Sequence, residues 1–161
     1  MFDLQSLLLT RFQDIHKRML LALDQLDDEQ VNWRPNASSN SIANLIIHIS
    51  GNIKERIGDG MNHIPFTRDR DAEFEELSRT KSELVAIINE IFTELDGTLN
   101  TMDEERFKLT QEVRGQQRSH LETFIQTATH LAEHLGQILY IAKMLKDEQY
   151  ISTSTPKKIK S

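Results

Sequence analysis

Two histidines spaced four residues apart, His130 and His134, are the clearest candidates for chemistry in this sequence. On a helix, side chains at positions i and i+4 lie about one turn apart on the same face, so both imidazoles can reach one ion. Both residues lie on the shoulder of an apolar stripe, where a groove between two packed helices is expected. His48 has a similar place on an earlier helix. Together the three would form a neutral three-nitrogen site that suits Zn²⁺, Ni²⁺ or Fe²⁺ and leaves positions for water or substrate.

The same residues also have an interpretation without a metal, in which they are boundary histidines that pack and form hydrogen bonds. Spacing alone leaves both interpretations open. The remaining histidines favour packing roles: His16 follows an apolar position, His63 lies in a loop, and His120 opens a helix.

Residues 130–134 also fit the H-x-x-E-H pattern of one class of zinc proteases. Those enzymes need a distant acidic ligand on a large α/β scaffold, and here Glu148 is the only glutamate downstream. Glu133 points away from the apolar stripe, so we expect it to be solvated and not to act as a general base. The sequence therefore assigns no catalytic acid or base.

Four amphipathic stretches position the histidines. Apolar residues spaced three or four apart predict helices over residues 3–26, 41–57, 80–99 and 119–145. Capping-box spacings start the last two, with Thr80 followed by Glu83 and Ser119 followed by Glu122. Glycines at positions 58 and 60 predict the end of the second helix.

The stretches between these helices are polar, and residues 100–118 look irregular. Strand signals are absent, because no alternating apolar run is bounded by hairpin turns. The pattern therefore predicts an all-α four-helix bundle with one long crossover connection.

Composition narrows the function classes. The chain has 161 residues, a formal net charge of −6 and no cysteine. We expect one domain over residues 1–150 and a disordered basic tail over 151–161. The acidic balance argues against nucleic acid as a partner, and the lack of cysteine excludes disulfides, thiolate metal sites and a cysteine nucleophile. No apolar run approaches the ~20 residues of a membrane span, and no signal peptide is evident, so a cytoplasmic location is expected.

Two segments resemble a known family. Residues 40–52, Asn-Ser-Ile-Ala-Asn-Leu-Ile-Ile-His-Ile-Ser-Gly-Asn, and residues 130–138, His-Leu-Ala-Glu-His-Leu-Gly-Gln-Ile, resemble helix signatures of the DinB-like superfamily in its DUF1572 branch. Trp-Arg-Pro at 33–35 also fits, and the resemblance extends over about residues 3–146. It implies a four-helix bundle with one divalent metal ion held by His48, His130 and His134.

The resemblance also suggests activities. Members of the superfamily include thiol transferases that use bacillithiol or mycothiol and a mycothiol-dependent isomerase, and others have been described as metal-dependent hydrolases. Many form dimers. It therefore implies a metal-dependent enzyme, most simply a homodimer, that transfers a low-molecular-weight thiol to a small electrophile or hydrolyses a small substrate. The alternative is a non-catalytic, metal-stabilised helical dimer that binds a small molecule or metal, in which a fourth protein ligand would close the coordination sphere.

Polar and small residues lie near the histidines in the sequence. Asn44 and Asn52 flank His48 by one turn, and Gln137 lies beside His134, so each could orient an imidazole, hydrogen-bond a metal-bound water or make an ordinary polar contact. Gly51 and Gly136 lie inside the two histidine helices, where glycine costs about 1 kcal/mol against alanine. Their positions predict close approach of another helix, such as that of a dimer partner.

Overall fold

Four long helices form where apolar residues recur at helical spacing, in a computed structural model that describes residues 3–155. The helices are α1 Leu4–Asp24, α2 Asp28–Asn32, α3 Ile42–Ile53, α4 Gly60–Asn62, α5 Lys81–Asn100, α6 Glu104–Lys108 and α7 His120–Lys146. A π-helical segment, Lys54–Asp59, joins α3 to α4, and single 3₁₀ turns lie at Ala72–Phe74 and Asp147–Gln149. Two short strands, β1 Thr110–Val113 and β2 Gln116–Ser119, precede α7.

The helix starts agree with the capping signals. Ser119 and Glu122 form a reciprocal capping box at α7, and Thr80 and Glu83 form another at α5. A third box begins α3, where Ser41 accepts a hydrogen bond from the backbone of Asn44 and the Asn44 side chain accepts one in return. These caps satisfy backbone N–H groups that the first helical turn leaves free.

The long helices occupy the corners of a four-helix bundle. Both α1 and α3 pack against α5 and α7, which places α1 diagonally from α3 and α5 diagonally from α7. The connections from α1 to α3 and from α5 to α7 therefore both cross the bundle, whereas the sequence predicted one long crossover connection. The core between them includes the fully buried rings of Phe12, Phe92 and Phe124. The predicted all-α bundle is confirmed; within the described residues, no helix has both the length and the apolar character needed to cross a membrane.

The prediction that glycines end the second long helix near residue 58 was wrong. The helix passes through the π segment into α4 and ends at His63, which adopts a left-handed φ of 55°. Gly58 and Gly60 instead provide room, because a Cβ at either position would crowd the Glu94 carboxylate or the Gln111 amide of neighbouring elements.

The stretch predicted to be irregular before α7 contains ordered structure. β1 and β2 form an antiparallel hairpin in which Val113 pairs with Gln116. The two turn residues, Arg114 and Gly115, both have positive φ, 52° and 75°, as a tight hairpin turn requires. The strands are too short and too polar to show apolar alternation, and Val113 is their one buried residue.

The predicted tail falls partly outside the described residues. Ile151 exchanges two hydrogen bonds with the Gln25 side chain at the end of α1, and Arg18 donates one to Thr153. Residues 156–161, which carry the tail's lysines, lie outside the described part of the chain.

Candidate metal centre

Three imidazoles from two helices converge at one point. His48 extends from α3, and His130 and His134 extend from successive turns of α7. The His130 Nε2 atom lies 3.0 Å from His48 Nε2 and 2.9 Å from His134 Nε2. The candidate ligand atoms of all three residues lie within 4.8 Å of one another, so the group could hold a metal ion. The structure thus brings together the three histidines that the sequence singled out.

Hydrogen bonds at the far side of two rings fix which nitrogens face the centre. His48 Nδ1 lies 2.8 Å from Glu73 Oε2, and His134 Nδ1 lies 2.6 Å from Gln137 Oε1. Both oxygens are acceptors, so each Nδ1 carries the proton and each Nε2 directs a lone pair inward. His130 Nε2 has at most one proton, so it cannot bridge both neighbours at once. A shared cation satisfies all three lone pairs, which is the chemical fit expected of a metal site.

Burial favours the neutral form of two histidines in the cluster. It lowers the pKa of His130 to about 3, with further lowering by His134 and His48 when they are charged. Burial also lowers the pKa of His48, although the hydrogen bond to Glu73 opposes that shift. Neutral imidazole is the form that binds metal, so these two residues are ready to act as ligands near neutral pH.

A buried carboxylate orients His48. Glu73 is 5% exposed, and its two oxygens accept hydrogen bonds from Arg68 at 2.6 Å for Oε1 and 2.8 Å for Oε2. Arg68 also donates to Glu55 Oε2 at 3.1 Å. The chain from Glu55 through Arg68 and Glu73 to His48 thus pairs each buried charge and holds one imidazole in place.

Asn44 serves this network indirectly. Its side-chain nitrogen donates to the backbone oxygens of Glu73 and Glu75, both at 2.9 Å, and its oxygen accepts from Ser41 and Arg34. Asn44 is therefore a buried structural contact that fixes the loop around residue 73. It does not orient an imidazole directly, whereas Gln137 does.

Gly51 makes room for the same carboxylate. A Cβ at this position would overlap Glu73 Oε1 and lie 3.0 Å from Arg68 Nε. The prediction that Gly51 admits another helix was wrong, because its close neighbour is a side chain from the loop between α4 and α5. A Cβ at Gly136 would meet no described atom within 4 Å, so its contact with a dimer partner stays a prediction.

The other histidines lie outside the cluster. His16 stacks on the Phe92 ring with centroids 4.5 Å apart and contacts Asn89 Oδ1 at 2.9 Å. His63 ends α4, and His120 is buried at the start of α7.

A polar cavity of about 370 Å³ opens beside the three imidazoles. It is lined by His48, Asn52, Arg56, Arg70, Arg114, Thr123, Gln126, Thr127, His130, Glu133 and His134. Glu133 is exposed there, as expected of a solvated residue. The three arginines were not foreseen, nor were Glu73 and Arg68. Arg56 lies in the π-helical segment, within the stretch predicted as the second helix, and the other four lie in the loop between α4 and α5 or in the hairpin turn, where helical periodicity gives no signal.

Comparisons with known proteins agree with this fold. The family model described as "Protein of unknown function (DUF1572)" matches residues 4–159. A conserved protein from Enterococcus faecalis superimposes with a TM-score of 0.75 at 13% identity, covering 89% of this chain and 98% of that one. A DinB-like protein from Bacillus cereus ATCC 10987 gives a TM-score of 0.67 at 13% identity, covering 86% and 90%. No curated protein matches the chain. At such low identity the solved structures show a shared fold alone.

Proposed function

This chain belongs to the DUF1572 family and has a DinB-like fold, and from that premise we propose that it is a divalent-metal-dependent enzyme acting on a small molecule. One observation carries the proposal. The three Nε2 atoms converge on the wall of the polar cavity, and within residues 3–155 no carboxylate joins them as a fourth ligand. A structural metal site would be closed by such a ligand, whereas a catalytic site keeps a position that substrate can reach.

The donor set suits a small group of ions. Three neutral imidazoles favour Zn²⁺, Ni²⁺ or Fe²⁺ over the harder ions that prefer oxygen ligands. A divalent cation bound there supplies Lewis acidity, which polarises a small electrophile or lowers the pKa of a thiol. Glu73 and Gln137 hold two of the ligands in the orientation that this chemistry needs.

The nucleophile is proposed to come from outside the chain. Since the protein has no cysteine, a thiol transfer would require a low-molecular-weight thiol as cosubstrate, and the cavity has room for small molecules. Hydrolysis of a small substrate is the variant of the proposal that uses the same ligands. Glu133 lines the cavity but is exposed to solvent, and the proposal gives it no role as a base.

A homodimer remains part of the proposal. Gly136, Tyr140 and Met144 lie four apart on α7, and the last two side chains are 67% and 44% exposed. This apolar surface would suit a second copy, and light scattering on the purified protein would check it.

Elemental analysis tests the metal directly. We expect wild type to retain about one equivalent of a divalent metal after dialysis and His130→Ala to lose it, because a central ligand is gone. His63→Ala, which changes a histidine outside the cluster, should retain it. Equal metal content in wild type and His130→Ala would refute the site.

Conjugation assays test the proposed catalytic activity. Metal-loaded protein should conjugate monobromobimane or a chloro-nitrobenzene with at least one of several small thiols, and His130→Ala should not. Fully loaded protein that is inactive with every thiol and with ester substrates would instead favour the non-catalytic binding protein.

A further inference from the structure

Three arginines, Arg56, Arg70 and Arg114, line the same cavity as the histidine cluster, and we call them the arginine wall. The chain as a whole carries a net charge of −6. The cavity wall therefore carries local positive charge, although the protein as a whole is negative. Concentrated positive charge on the wall of a concave site attracts anions and raises their local concentration.

Each member of the wall comes from an irregular segment. Arg56 lies in the π-helical segment after α3, Arg70 in the loop between α4 and α5, and Arg114 in the turn of the β hairpin. Isolated π-helical turns occur frequently at functional sites. Arg114 has a left-handed φ of 52°, in a tight turn where asparagine or glycine is the usual residue. Turn geometry alone does not account for an arginine there.

The positive charge of the wall is only partly neutralised by protein carboxylates. Arg56 Nε lies 3.3 Å from Glu55 Oε2, but Arg68 contacts the same oxygen at 3.1 Å. Among residues 3–155, neither Arg70 nor Arg114 has a carboxylate oxygen within ion-pair distance. The Arg70 guanidinium instead lies 5.1 Å from the centre of the Phe74 ring.

The pKa of Arg56 also reflects the concentration of positive charge around the arginine wall. Burial lowers its pKa first, Glu55 opposes that change, and the positive charges of Arg114, Arg68 and Arg118 lower the pKa further. Mutual repulsion among these guanidinium groups would be relieved by a bound anion.

Fewer acidic residues lie on the side of the arginine wall that faces the histidines than on the opposite side. Glu133 lines the same cavity but is exposed. A neighbouring cavity of about 340 Å³ shares all three arginines and is also lined by Glu55, Asp59 and Glu112. The histidine side of the wall is therefore the more positive side, and a metal ion would make it more so.

We propose that the arginine wall binds a carboxylate or phosphate group of the small molecule that reacts at the histidine centre. The guanidinium group has a planar arrangement of donors that matches the oxygens of both anions. This inference rests on the proposed function for the reacting end of the ligand. The substrate or cosubstrate is accordingly an organic anion, and an uncharged analogue of the same size would bind poorly.

Calorimetric titration of the full-length zinc-loaded protein tests the proposal with three probes: succinate, inorganic phosphate and neutral succinamide. We expect saturable binding of at least one anion and none of succinamide. Arg70→Gln and Arg114→Asn should each weaken anion binding about tenfold, equivalent to about 1.4 kcal/mol. Both residues are exposed, and asparagine tolerates the left-handed turn, so folding should be preserved. Arg79→Gln, an exposed arginine outside both cavities, is the matched control.

Tighter binding of phosphate would identify a phosphate-bearing ligand, and tighter binding of succinate a carboxylate-bearing one. Equal affinities in the wall variants and Arg79→Gln would overturn the proposal, as would no anion binding at millimolar concentration. Repeating the titrations on metal-free protein separates the two hypotheses. If the protein cannot be loaded with metal but still binds anions through the arginines, the arginine wall is supported and the metal-dependent enzyme is refuted. If the protein retains metal but the arginine variants bind anions as wild type does, the metal site is supported and the arginine wall is refuted.

Discussion

The two helices of the histidine cluster support their ligands in different ways. On the α3 side, the His48 ring contacts a buried carboxylate that Arg68 holds through two hydrogen bonds. On the α7 side, the His134 ring contacts Gln137, an exposed neutral residue one turn along the same helix. The first support requires a loop to fold onto α3, whereas the second forms as soon as α7 does.

His48 is thus held by a tertiary contact, whereas His134 is held by a local contact within its own helix. Glu73 raises the electron density of His48 and anchors a loop, so its loss disturbs both metal binding and the fold. Gln137 contributes one neutral hydrogen bond at the surface, and water can replace it. Mutations on the two sides should therefore have unequal effects.

Glu73→Ala should have the largest effect. It leaves Arg68 largely buried with one of its two carboxylate partners removed, a change that typically costs about 3–5 kcal/mol. Loss of the contact to His48 should weaken metal binding about 10–100-fold. Urea unfolding and competitive metal titration measure the two quantities. Glu75→Ala, which removes an exposed carboxylate from the same loop, should change neither, and a near-normal Glu73→Ala would show that the α3 side has no special support.

A smaller effect is expected from pH on the metal-free protein. Folding lowers the pKa of His130 to about 3, while an unfolded histidine titrates near 6.5. Between these values the unfolded state binds more protons, so stability should fall as pH decreases below about 6.5. His130→Gln should lose stability less steeply between pH 7 and pH 5 in urea unfolding experiments. Parallel slopes for the two proteins would contradict the assigned burial of this ring.

The smallest effect should come from Gln137→Ala. We expect metal affinity to fall less than about tenfold and stability to change by less than about 1 kcal/mol, since one exposed neutral hydrogen bond is lost. The same competitive titration measures it. A loss equal to that of Glu73→Ala would remove the distinction between the two sides.

How much the sequence could predict depends on the type of segment. His130 and His134 were identifiable because a regular helix converts a spacing of four into a shared face. Periodicity alone did not place His48 toward the site, and its assignment as a ligand came from the resemblance of residues 40–52 to the family signature. The bundle and its capping boxes followed from the same local rules.

Residues on irregular segments could not be placed in this way. The position of Glu73 is set by a loop that Asn44 holds through hydrogen bonds to the loop backbone. The position of Arg114 is set by a hairpin whose strands are too short to show apolar alternation. The sequence marked Gly51 as unusual but not the reason, because the carboxylate that fills its space is 22 positions away along the chain. Contacts set by tertiary folding, not by periodicity, complete the site.

The hairpin tip has a consequence for engineering this protein. Arg114 and Gly115 connect two four-residue strands at the edge of the cavity, while the three imidazoles of the histidine cluster project from the bundle helices. Turns of this kind tolerate substitution and insertion better than packed helices do. A library restricted to position 114, with Gly115 kept because its φ of 75° would strain any side chain, could therefore alter ligand preference while leaving the imidazoles and the bundle core in place.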